Sequence, residues 1–138
     1  MNREDVLAFL TTILSAIMTH DVLISELSNM IGRSGFERKF FNALMARLKY
    51  LENFGATAIK HREWFESLSH QAEGLYSMRL KDSHFNIRIL YAFLPDGHPV
   101  LLVAFKERSG KRVSSYEAYT PIAKERLAYI LEAYEHEK

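Results

Sequence analysis

Residues 74–94 read GLYSMRLKDSHFNIRILYAFL. Tyr76, Met78 and Leu80 alternate with Ser77, Arg79 and Lys81. After Asp82-Ser83-His84, residues Phe85, Ile87, Ile89, Tyr91 and Phe93 alternate with Asn86, Arg88, Leu90 and Ala92. A period of two marks strands, and turn residues between two such runs mark a hairpin. If the loop is Ser83-His84, Tyr76 meets Tyr91, Met78 meets Ile89 and Leu80 meets Ile87. Every apolar residue then faces an apolar residue, so the register is self-consistent. That register also sets Arg79 directly opposite Arg88. A like-charge pair across a ladder costs a few tenths of a kcal/mol up to about 1 kcal/mol. Either neighbouring acids of the final helix, such as Glu125 and Glu132, neutralise the two cations, or an anionic ligand does.

Working outward, Pro95-Asp96-Gly97 signals a turn. Val100–Phe105 is an unbroken apolar run, as expected of a strand covered on both faces. A second hairpin centred on Asp96-Gly97 brings Phe105 beside Arg88. Lys106 and the basic loop KERSGKRVSS (106–115) begin where that strand ends. Arg79, Arg88, Lys106, Arg108, Lys111 and Arg112 are thereby expected near one edge of the sheet. Tyr116 and Tyr119 follow, in reach to stack on a base or relay a proton. Thr120-Pro121 reads as the start of a last helix, threonine as N-cap and proline in the first turn. Ile122, Leu127, Ile130, Leu131 and Tyr134 form its apolar face.

Upstream, Ser34-Gly35-Phe36-Glu37 reads as a capping box. The stripe Phe36, Phe40, Phe41, Leu44, Leu48, Leu51 and Phe54 continues it as a helix stopped at Gly55. Val22–Ile31 reads as a helix, although Val22 and Ile24 also suit a strand. Asn2, Glu4 and Asp5 open a first helix carrying Leu7, Leu10, Leu14 and Ile17. Thr57–Gln71 is a looser segment, folded back by Trp64, Phe65 and Leu68. The expectation is one α+β domain over residues 1–138. It has N-terminal helices, a three- to four-stranded antiparallel sheet and a C-terminal helix, residues 1–31 being an extra helical segment.

The 138 residues are 48% hydrophobic, which excludes a disordered chain, and the absence of cysteine excludes disulfides and thiol catalysis. It also fits a reducing cytoplasm. Net charge is only +1, but Leu75–Ser115 holds seven Lys/Arg against three Asp/Glu while both flanks are acidic. A local basic surface facing an anionic partner fits that distribution better than a molecule basic all over. Val6–Met18 is too short to span a membrane, and Glu4 and Asp5 oppose a signal peptide. The six histidines show no metal-ligand spacing, so neither metal nor cofactor is expected. His84 reads as an exposed turn residue.

The run GLYSMR (74–79), then NIRILY (86–91), then VLLVAFK (100–106), a basic loop and an amphipathic helix, resembles the RelE/ParE/HigB toxins of bacterial type II toxin–antitoxin pairs. The likeness covers residues 36–131 and is greatest to the phage-derived HigB-like branch. It implies a RelE-like fold and a metal-independent, ribosome-dependent mRNA endonuclease, in which the ribose 2′-hydroxyl attacks the neighbouring phosphate. By motif position Arg79 and Arg88 would hold that phosphate and Lys106 would stabilise its developing charge. Tyr119, chosen because it precedes the last helix and not because a motif fixes it, would stack or transfer a proton. Lys81, Arg108, Lys111, Arg112 and Tyr116 would be RNA contacts. The implied partners are a cognate antitoxin, of helix-turn-helix type, with mRNA and the ribosome. The N-terminal helix is open to three uses: a dimer surface, an antitoxin surface or core packing. The sequence departs from the branch in three ways. Glu107 stands where a second lysine is usual, the basic loop is long, and no N-terminal strand is evident. ParE-like relatives of the same fold act on gyrase, so a non-catalytic binding protein is the alternative.

Overall fold

The computed structural model describes residues 1–107 and 112–137; the side chains of residues 112–114 are outside that description. The β3–β4 ladder at its centre is the one the sequence dictates. β3 (Tyr76–Lys81) and β4 (Asn86–Phe93) pair antiparallel with Tyr76 opposite Tyr91 and Leu80 opposite Ile87. The loop closes on Ser83-His84: the Asp82 amide donates to the Phe85 carbonyl, and the Asp82 carboxylate accepts from the His84 and Phe85 amides. That local capping lets a tight turn form without a glycine.

β5 (Pro99–Lys106) pairs with β4 in the expected register from Lys106 to Val103, then shifts by one residue through a bulge between Leu90 and Tyr91. Leu102 is the extra residue. Leu102 and Val103 therefore both join the apolar cluster on one face, while Leu101 and Ala104 join the cluster on the other. The pairing expected around Asp96-Gly97 is corrected accordingly. The turn is closed by Leu94 and His98, and every side chain from Val100 to Phe105 finds a core.

Two short strands extend this meander to five strands in the order β1-β5-β4-β3-β2. β1 (Met18–Thr19) lies parallel to β5 and supplies the N-terminal strand that two residues were too few to reveal. β2 (Phe65–Ser67) lies antiparallel to β3, inside the segment expected to be loose.

α1 (Arg3–Ile13), α2 (Asp21–Ile31) and α3 (Glu37–Phe54) cover one face of the sheet; α4 (Arg112–His136) covers the other. Asn2 caps α1 through the Asp5 amide, and His20 caps α2 through the Val22 amide. The expected capping box at Ser34 does not form. The Ser34 hydroxyl accepts from the Phe36 amide, and α3 starts two residues later than that box implies, at Glu37 with Phe36 at the N-cap. Gly55 ends α3 at φ 53°, a conformation glycine adopts without strain.

α4 is the larger correction. It begins at Arg112, so Thr120-Pro121 lies inside the helix. Pro121 removes one N–H from the helical ladder, a loss of about 3 kcal/mol or more in a helix interior. The turns before it are held by tertiary burial: Tyr116 is 1% exposed, and Tyr119 stacks on Phe105 with centroids 4.3 Å apart.

β1 covers only the first residues of the β5 edge. Beyond it, Arg126 donates to the Leu102 carbonyl and Glu26 accepts from the Ala104 amide. The two side chains also meet in a two-bond ion pair, each bond 2.9 Å. An α2–α4 pair thus satisfies edge groups that would otherwise invite another strand.

Candidate functional site

The ladder sets Arg79 against Arg88 at the turn end of the sheet, on the face that α4 covers. Each guanidinium has a carboxylate. Arg79 Nη2 is 2.8 Å from Glu66 Oε2, at side-chain exposures of 28% and 20%. Arg88 Nε is 3.0 Å from Glu107 Oε2, at 7% and 4%. The expected acids of the final helix are not the partners; the carboxylates come from β2 and from the residue after β5. At these separations opposite charges outweigh the cross-strand repulsion, which is why the ladder tolerates both arginines.

The two pairs differ in quality. Arg79 is fixed through its backbone at both ends: its amide donates to the Trp64 carbonyl, 2.7 Å, and its carbonyl accepts from Arg47 Nε. Its Nη1 reaches the Arg62 carbonyl at 3.2 Å. Arg47 stacks 4.4 Å over the Trp64 ring, and burial brings its guanidinium down to about 10, still charged at neutral pH. The Arg88–Glu107 contact is short but not aligned: Nε of both arginines is buried without a hydrogen bond, but Glu66 accepts from Tyr116, whereas neither Glu107 oxygen accepts one. Arg88 Nη1 turns instead to the Asn86 side chain and the Ile87 carbonyl.

Tyr116 reaches down from α4 into this face. Its hydroxyl lies 2.9 Å from Ser77 Oγ and donates to Glu66 Oε1 at 2.8 Å. Burial pushes the phenol above its ordinary value; the Ser77 hydrogen bond opposes that shift and the Glu66 charge adds to it. Glu66 therefore bridges Arg79 at the rim and Tyr116 in the core.

The expected site residues separate into groups. Arg79 and Arg88 lie opposite each other in the ladder, but their guanidiniums turn outward, one to β2 and the other to the residue after β5. Lys81 is exposed at the end of β3, opposite Asn86. Lys106 is exposed at the same end of the sheet, but strand alternation turns it to the Ile87 face, away from the arginines. Tyr116 is buried and in no position to stack on a base. Tyr119 is half-buried against Phe105. Arg108 and Lys111 lie outside the described residues, as does the Arg112 side chain, although Arg112 opens α4. Lys106 and Tyr119 share an open groove of about 890 Å³ along the β5 edge with Glu26, Asn29, Glu107 and Ser115. Among the described residues, no group of three or more His, Cys, Asp or Glu is placed to hold a metal ion. No described helix is long and apolar enough to cross a membrane.

Sequence reasoning missed Glu66, Ser77 and Arg47, and treated Glu107 only as a departure. Glu107 was legible. Its amide bonds to the Asn86 carbonyl in the expected register, which puts its side chain on the face of Phe105 and Arg88. Glu66 was not, because a three-residue strand shows no period.

A family model for phage-derived Gp49-like proteins (DUF891) matches residues 34–128, well over half of the chain. The chain belongs to this family. Gp49-like proteins are a RelE/HigB-type toxin family, and the α+β architecture of this member is broadly that of a RelE-like fold. A toxin of that kind suggests an antitoxin as partner. No curated protein and no solved structure matches the chain. The matched span leaves out α1 and α2. α1 packs with α2 and α3, burying Val6 and Leu10.

Proposed function

We propose that this Gp49-like protein is the toxin of a type II toxin–antitoxin pair, of the HigB-like branch, and that it cleaves mRNA in the translating ribosome. The observation that carries this reading is Arg79 held opposite Arg88 by a backbone ladder, within a toxin family. In the folded chain each guanidinium turns to its own carboxylate, Arg79 toward β2 and Arg88 toward the residue after β5; with those carboxylates displaced, two forks on adjacent strands suit phosphodiester oxygens. In this reading Arg79 seats the scissile phosphate and Arg88 stabilises the charge that develops as the 2′-oxygen attacks. Glu66, partly exposed beside Arg79, is the nearest carboxylate able to accept the 2′ proton. Lys106, turned away from the arginines, meets flanking RNA from the β5 groove, and Tyr119 acts there by stacking or proton transfer. Lys81 and the cations of residues 108–112 hold the flanking RNA.

A second reading is a non-catalytic binding protein of the same fold, poisoning gyrase or meeting an acidic partner. It is favoured by the carboxylate on each arginine, which neutralises both guanidiniums as folded. Induced expression with mapping of cellular RNA 5′ ends separates the two. Cuts within translated codons, abolished by Arg79→Ala in a protein that still melts cooperatively, are expected. Growth arrest with intact transcripts overturns the endonuclease reading.

A further inference from the structure

Glu107 is a carboxylate out of place. It follows the last residue of β5, and its amide continues the ladder to Asn86. Its side chain is 4% exposed and 3.0 Å from Arg88 Nε, yet neither oxygen takes a hydrogen bond. A buried ion pair is worth its desolvation only when geometry and hydrogen bonding are both good. This one has proximity without alignment, so Glu107 holds Arg88 less firmly than a well-seated anion would. The groove along β5 runs past Glu107 and has Lys106 in its lining, so an anionic chain has a route to this point.

We propose that Glu107 is a gate: its carboxylate occupies, against Arg88, the place of an incoming phosphodiester, which must displace it. This rests on the reading of the arginine pair as a phosphate site, and it adds the condition under which that site opens. The exchange forms and breaks no covalent bond. One anion leaves the guanidinium and another arrives, and a tetrahedral phosphate offers oxygens in directions a fixed carboxylate lacks. The partly exposed Arg79–Glu66 pair needs no such gate, because water already reaches it.

The test is titration of the full chain with inorganic phosphate, followed by the Nε–H resonances of Arg79 and Arg88. In the wild type the Arg79 resonance is expected to move first, and Arg88 only at higher phosphate. Glu107→Gln is expected to bring Arg88 into the first transition and to tighten phosphate binding roughly tenfold, the scale of one charge-assisted hydrogen bond. Unchanged affinity in Glu107→Gln overturns the gate. If that variant does not fold, Glu107→Asp, which draws the charge back by one methylene, is expected to bind phosphate between wild-type and tenfold tighter. Wild-type protein in which phosphate never moves Arg88 overturns the gate by itself. Cleavage in a translating extract reads the other claim. A variant that takes phosphate more tightly and cuts nothing keeps the gate and removes the endonuclease; one that cuts without tighter binding does the reverse.

Discussion

Tyr116→Phe decides whether this tyrosine is a core strut or an RNA contact. The substitution removes one oxygen, 2.9 Å from Ser77 and 2.8 Å from Glu66, from a residue that is 1% exposed. Ser77 is fully buried, so its hydroxyl loses a partner that water does not replace, a cost of about 1–3 kcal/mol. The bond to Glu66 is charge-assisted, but Glu66 is 20% exposed and recovers part of it from solvent, leaving about 0.5–1 kcal/mol. The more apolar ring returns a few tenths of a kcal/mol. The expected loss is about 2 kcal/mol, or roughly 5–10 °C in Tm for a chain of this length. Urea unfolding with an unchanged m-value measures it. Adding Ser77→Ala removes the orphaned hydroxyl, so the double variant is expected to be at least about 0.5 kcal/mol more stable than the two single losses predict by addition. Wild-type stability in Tyr116→Phe, within about 0.5 kcal/mol, or strict additivity in the pair, refutes the strut.

Two further outcomes follow from the same contacts. Tyr91 and Tyr116 both have phenol pKa values raised by burial above the ordinary 10.0. A raised folded-state pKa means that their contribution is intact below pH 10 and is lost as the unfolded chain ionises first. Stability is therefore expected to fall above that pH by up to about 1.4 kcal/mol per pH unit for each tyrosine, and Tyr91→Phe should flatten the decline in an alkaline urea series. An equally steep decline in that variant would count against burial as the cause. Glu26→Ala removes both bonds to Arg126 and the cap on the Ala104 amide. A loss of about 2 kcal/mol is expected, together with at least tenfold faster hydrogen exchange at Ala104. Unchanged protection at that amide would show the edge to be covered by something else.

The centre of the fold was legible because its information is dense. Between Tyr76 and Tyr91 alternation, apolar matching and a turn all specify one register, and a slip of one residue would have exposed every core side chain. Elements failed where the signal was short or where distant contacts outweighed local preference. Met18–Thr19 and Phe65–Ser67 carry too few residues to show a period. Pro121 was read by its local preference for a helix start. Burial of Tyr116 and stacking of Tyr119, contacts with β3 and β5 across long sequence separations, extend the helix through it. The bulge at Leu102 is of the same kind: an unbroken apolar run hides the residue at which the phase slips.

The site was legible as a juxtaposition of charges but not as an arrangement of access. Four groups, Arg79, Arg88, Glu66 and Glu107, sum to neutrality among the described residues, so on the proposed reading an RNA phosphate meets exchange rather than an empty cationic pocket. The order of exchange follows from exposure. The Arg79–Glu66 pair stands at the rim, where solvent holds such pairs to about 0–1 kcal/mol, and a phosphate can compete for Arg79 with no other movement. Arg88 is enclosed, and removing Glu107 with nothing in its place leaves a buried charge unpaired, a cost of about 3–5 kcal/mol. Free protein therefore stays closed at Arg88, and on the proposed reading an anion reaches it only at concentrations above those that occupy Arg79. On the proposed reading, a pair of like charges that would weaken an ordinary hairpin becomes, with its two carboxylates, a site that engages in sequence.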